Sequence, residues 1–92
     1  PIVEITKDHV GSKVIIGGMV TTVKNINTKV GNNAMAFVRL EDLTGSVELV
    51  VFPKVFSQTS HTWSHGAIVC AEGKVDEKDD RLTILVDSVA VI

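Results

Sequence analysis

Hydrophobic residues alternate with polar ones along much of this chain, the period of a strand with one buried face. Met35 to Asp42 (MAFVRLED) and Ser46 to Phe52 (SVELVVF) show the pattern most clearly. In the first, Ala36, Val38 and Leu40 fall on one side and are expected to point inward, leaving Phe37, Arg39 and Glu41 outward. In the second, Val47, Leu49 and Val51 go in, with Glu48, Val50 and Phe52 out. Leu43-Thr44-Gly45 between them reads as a tight hairpin with Gly45 at a positive-φ position.

Three further segments complete a set of strands. Lys13 to Lys24 (KVIIGGMVTTVK) is rich in β-branched residues, and Gly17-Gly18 marks a bulge or bend that lets one long strand serve two sheet faces. Gly66 to Val75 is a fourth strand with Val69, Ala71, Gly73 and Val75 inward, and Arg81 to Val86 a fifth, with Asp87 to Ile92 as its extension. Asn25 to Ala34 reads as a polar loop whose Gly31-Asn32-Asn33 accepts positive φ, and Asp76 to Asp80 as a charged turn. Pro53 stops the third strand and sets φ for a short helix within Pro53 to Trp63, with Val55, Phe56 and Trp63 plugging one barrel end. Strand, strand, strand, short helix, strand, strand is the layout of an all-β, five-stranded Greek-key barrel, the OB-fold. An SH3-like barrel, the nearest rival, usually lacks that helix.

Composition narrows the picture. Ninety-two residues suit one domain, 1–92, and 45% hydrophobic with 22% charged content is ordinary for a globular chain. No apolar run is long enough for a membrane span, so no membrane partner is expected. The start, Pro1-Ile2-Val3-Glu4, lacks an initiator Met and a signal-peptide layout, which points to a fragment of a larger polypeptide. The single cysteine, Cys70, forms no internal disulfide and suits a reducing cytoplasm. A formal net charge of −2 means that affinity for nucleic acid must come from local placement and stacking, so that binding is expected to be weak.

The outward face of the second and third strands places Phe37, Arg39 and Phe52 close together, an arrangement on which bases stack. The plainer reading is that Phe37 and Phe52 cover apolar surface, and Phe52 adjoins the helix. The first loop offers Lys24, Asn27, Lys29 and Asn32, suited to clamping phosphates and base edges or simply to a solvated hairpin. Lys74 and Arg81 extend a basic track, although Glu77, Asp79 and Asp80 repel phosphate and make the last turn look like solvent surface. Catalysis finds no footing. His61, His65 and Cys70 lack a second cysteine or compact ligand cluster, and nothing marks a nucleophile. Glu41 and Asp42 read as surface and turn-capping groups. The expectation is a non-catalytic binding domain with no metal and no cofactor.

The stretch Met35 to Phe56, MAFVRLEDLTGSVELVVFPKVF, resembles the OB-fold region of bacterial DNA polymerase III alpha subunits, and Gly17 to Val20, Thr28-Lys29 and Glu72 to Asp76 resemble its flanking blocks. The likeness covers roughly Val14 to Val86; SQTSHTWSH after Phe56 departs from it in being less charged and less helical. Looser likenesses exist to anticodon-binding domains of class II aminoacyl-tRNA synthetases. The resemblance implies a domain that contacts single-stranded template while catalytic aspartates lie elsewhere, with Phe37, Arg39 and Lys29 as carried-over contacts. It implies single-stranded DNA, bound weakly and salt-sensitively, and other polymerase domains or replisome subunits as partners. The alternatives are a protein-interaction or spacer domain of the replisome and an RNA-reading anticodon domain.

Overall fold

A computed structural model describes residues 1–92. Two 3-10 turns, Ile2–Glu4 and Lys7–His9, lead into β1 (Lys13–Asn27), β2 (Ala34–Glu41), β3 (Ser46–Val51), α1 (Pro53–Thr59), β4 (Ile68–Lys78) and β5 (Arg81–Val91). The strands close into a barrel in the order β1-β2-β3-β5-β4, antiparallel throughout except for the β3–β5 pair. This is the expected five-stranded OB barrel with its helix between the third and fourth strands.

Alternation sets the interior. Ala36, Val38, Leu40, Leu49, Val51, Val69, Ala71 and Ile84 are fully shielded, and Val20, Val75 and Val86 complete the layer. Val50 departs from expectation. It points outward as its register demands, yet it is only 7% exposed, because Phe37 of β2 and Leu85 of β5 flank it. A solvent-facing valine is thereby covered by its own row. Trp63 plugs one end as expected, buried in the core, with its indole Nε1–H donating to Thr59 Oγ1 at 3.0 Å and half-buried Val55 and Phe56 beside it.

Several element boundaries differ from those expected. β1 continues through Asn27 because Lys24 to Asn27 pair with Phe37 to Ala34, and that ladder overrides their polar character. β4 continues through Lys78, so the charged turn shrinks to Asp79-Asp80, both in the left-handed region at φ 53 and 63°. A two-residue turn of this geometry matches the twist of the flanking strands. Gly45 does not take a positive φ. The β2–β3 turn is closed instead by Asp42, whose Oδ1 accepts from Thr44 N at 2.7 Å and Gly45 N at 3.1 Å.

The glycine pair in β1 works differently from a bulge, which lies farther on, between Val20 and Thr22. β1 hands over from β4 to β2 at Met19, which faces both Ile68 and Glu41. A Cβ on Gly18 would sit 2.5 Å from the Glu41 carbonyl oxygen, so the close approach requires glycine. Gly73, at the β4–β5 register shift, is crowded in the same way by the Leu85 carbonyl. Gly17 has ordinary space, its nearest neighbour being Val69 O at 3.6 Å. Gly18→Ala and Gly73→Ala are each expected to lose about 1–3 kcal/mol in urea unfolding, whereas Gly17→Ala stays within about 0.5 kcal/mol of the parent.

Candidate nucleic-acid interface

Register places the outward side chains in rows across the sheet. Lys24, Phe37, Val50 and Leu85 form one row across β1, β2, β3 and β5. Thr22, Arg39, Glu48, Thr83 and Asp76 form the next. The β4–β5 hairpin pairs Lys78 with Arg81 and so carries both cations on the same outer side as Asp76 and Thr83. They border an open groove of about 560 Å³ together with Lys24, Phe37, Glu48, Asp79 and Thr83. The hairpin tip is therefore part of the face and not mere solvent surface.

A smaller hollow of about 180 Å³ adjoins this groove, where Met35, Phe37, Val50, Phe52 and Leu85 make an apolar floor. Phe52 is 47% exposed there and Phe37 half-buried, so both rings present area to a ligand. Arg39 lies one row away, on a cleft of about 360 Å³ that also takes in Arg81, Glu48, Ile2 and Ile5. An aromatic pair flanked by lysine and arginine offers stacking surface and phosphate contacts at once.

The other candidates are dispersed. Lys74 ends the Phe37 row on β4, past Leu85 and facing Lys13 of β1, three strands and about 14 Å of sheet from Phe37. Asn27 pairs with Ala34 on the opposite face from Lys24. Lys29 and Asn32 sit exposed in a loop closed by Thr28, whose hydroxyl donates to Val30 O at 2.8 Å and accepts from Asn33 N at 3.0 Å. That loop leans toward α1, where Asn33 shares a hollow with Lys54 and Phe56. Lys78 and Thr83 were not foreseen. Extending the alternation Lys74, Asp76, Lys78 past the expected strand end would have found Lys78.

Acids on the hairpin divide between two faces. Glu77 and Asp80 pair with Lys7 at 3.4 and 3.8 Å, leaving Asp79 at the groove and Asp76 at the adjoining hollow. These exposed pairs contribute little energy and mainly orient charge. His61 and His65 are exposed and Cys70 is half-buried on β4, and no cluster of His, Cys, Asp and Glu is placed to hold a metal ion.

The amino-terminal segment is fixed to the β2–β3 turn by Asp42, whose Oδ2 accepts from Ile2 N at 2.8 Å while Thr44 Oγ1 accepts from Val3 N at 3.1 Å. The hydroxyl of Thr44, then the amide of Ile2, hold the Asp42 carboxyl down to about 2, against an ordinary value of 3.8. This latch keeps Ile2 and Ile5 against the cleft that contains Arg39.

Fold and face together define a β-barrel of the kind that binds a polymer across its second and third strands. Residues 14–92 match the OB-fold nucleic acid binding domain family, and the chain belongs to it. It is 39% identical over 70 residues to the DNA polymerase III subunit alpha of Bacillus subtilis, a match covering 76% of this chain and 6% of that protein. The chain thus spans a small fraction of the length of the curated relatives it matches. Its fold is shared with asparaginyl-tRNA synthetase from Pyrococcus horikoshii (TM-score 0.70, 23% identity, 97% of this chain and 21% of that one). It is also shared with a mitochondrial single-stranded DNA binding protein from S. cerevisiae (TM-score 0.70, 14% identity, 89% of this chain and 94% of that one).

Because the Asp42 carboxyl is held low in the fold, its stabilisation is complete above the ordinary carboxylate range and fades as pH falls from about 4 toward about 2. Acid titration of Asp42→Asn is expected to show a less stable protein at neutral pH and a shallower loss over that window, followed by circular dichroism in urea.

Proposed function

We propose that this chain is a single-stranded DNA-binding module of a bacterial DNA polymerase III alpha subunit, one domain of a longer polypeptide, which steadies template near the polymerase site. The observation that carries the reading is the groove where Phe37 meets Lys24, Lys78 and Arg81 on the outer side of β1, β2, β4 and β5. Stacking on Phe37 and Phe52 is tolerant of sequence, since every base has a π-face, and the cations follow the backbone. Glu48, Asp76 and Asp79 within reach of the same surface oppose phosphate and keep the affinity low. Relatives named as polymerase subunits favour DNA as the ligand.

Contact with other polymerase domains or replisome subunits is supported by a different side of the barrel. Ile15, Met19 and Ile68 are 68, 42 and 45% exposed on the β1–β4 surface, up to the residue at which β1 crosses to β2. In this arrangement one side of the cylinder meets nucleic acid and another meets protein, within the cytoplasm.

Titration of labelled oligo-dT is expected to give binding that weakens with salt, with a log–log slope of about −2 if about three phosphates are neutralised. Phe37→Ala is expected to cost about 1–3 kcal/mol of binding when measured well below its melting temperature, which falls somewhat as Val50 is uncovered, and Arg39→Ala and Lys78→Ala to flatten the salt slope. Unchanged binding in Phe37→Ala would remove this face from consideration.

A further inference from the structure

The cleft beside the Phe37 groove has features that a phosphate track alone does not require. Its volume, about 360 Å³, lies at the small end of the roughly 300–1,000 Å³ typical of ligand clefts, enough for one nucleotide and not for a run of them. Half-buried Ile5, backed by buried Ile2, forms an apolar wall, supplied by residues that precede the family match at residue 14. Arg39 and Arg81 face the same space, with the Glu48 carboxylate between their strands. None of these charged groups takes part in the ion pairs of the structure, so their bonding capacity is open to a ligand. Thr83 is only 6% exposed, and that small area opens onto both hollows. Glu48, Arg81 and Thr83 border the cleft and the Phe37 groove alike, so a strand leaving one enters the other.

We infer that this cleft is a subsite for one nucleotide whose base carries an exocyclic amine, cytosine, adenine or guanine, next to the strand held in the Phe37 groove. The inference rests on the nucleic-acid reading given above. The isoleucine wall covers the face of the base, and the arginines hold the adjoining phosphates. A carboxylate only accepts hydrogen bonds, so Glu48 receives the exocyclic amine of cytosine, adenine or guanine, whereas thymine offers it a single N3–H flanked by two repelling carbonyl acceptors. Glu48, which weakens the attraction of the groove for phosphate, thereby supplies base preference.

The test uses the whole chain and an oligo-dT of about eight nucleotides, within the length an OB barrel covers, alongside versions carrying a single dC at each position in turn. One position is expected to strengthen binding by about tenfold. Glu48→Ala and Ile5→Asp, each checked by thermal melting, are expected to bring that ratio to about one, with oligo-dT binding strengthened in Glu48→Ala, where a carboxylate leaves the Phe37 groove, and still present in Ile5→Asp. In the parent, the amide signals of Ile5 and Thr83 are expected to shift more with the dC-bearing strand than with oligo-dT. Absence of a dC effect at every position, or a dC effect that survives both substitutions, overturns the subsite. If oligo-dT binds through Phe37 and no dC effect appears, the subsite alone fails. If no strand binds at all, the nucleic-acid reading fails and the subsite with it.

Discussion

The parallel contact between β3 and β5 closes the barrel, and the candidate face exists because of it. Glu48 faces Thr83, Leu49 faces Ile84 and Val50 faces Leu85. Parallel strands cannot be joined by a hairpin, so the chain must travel through α1 and β4 before returning as β5. A slip of one residue in this register would turn Ile84 to solvent and Thr83 into the apolar interior, so the core itself enforces the alignment. With the register fixed, the β4–β5 hairpin projects beside β2, and Lys78 and Arg81 reach the neighbourhood of Phe37 although they lie far from it in sequence.

Charge on that face is mixed by construction. Lys24, Arg39, Lys78 and Arg81 stand among Glu48, Asp76 and Asp79, while Glu77 and Asp80 are turned toward Lys7. A uniformly basic track would bind any polyanion strongly and lose selectivity for single strands with exposed bases. On the proposed reading, alternating charges reduce the long-range attraction to a strand, so that short-range contacts decide what stays bound. The rings of Phe37 and Phe52 then matter more than the net charge of −2 would suggest.

The core was legible in the sequence because inward positions alternate with period two and carry Val, Ile, Leu and Ala almost without exception. The helix was legible from Pro53 and the barrel plug from Trp63. Strand ends were harder to read. Asn25 to Asn27 and Asp76 to Lys78 look like loop by composition, and only the partner strand across the ladder makes them strand. That limitation carried over to the face. The outward placement of Phe37, Arg39 and Phe52 follows from short-range alternation, whereas the placement of Lys78 and Thr83 beside them depends on β5 returning beside β3, a long-range pairing that composition does not encode. Lys74, Asn27, Lys29 and Asn32 have suitable chemistry, but the barrel's curvature and the strand alternation distribute them away from the groove.

A weak face suits a domain that works while tethered. On the proposed reading the barrel is held near its ligand by the rest of a much longer polypeptide, and effective concentrations under such tethering reach the millimolar range for short flexible linkers. Affinity that is poor for a free domain is then sufficient, and it permits release as the strand advances. Tight binding would be a hindrance, because each step along a template requires the previous stacking and phosphate contacts to break. The acids at the groove and its adjoining hollow are understandable in those terms: on the proposed reading Glu48, Asp76 and Asp79 lower the barrier to letting go, and the rigid barrel beneath them returns the same surface for the next stretch of strand.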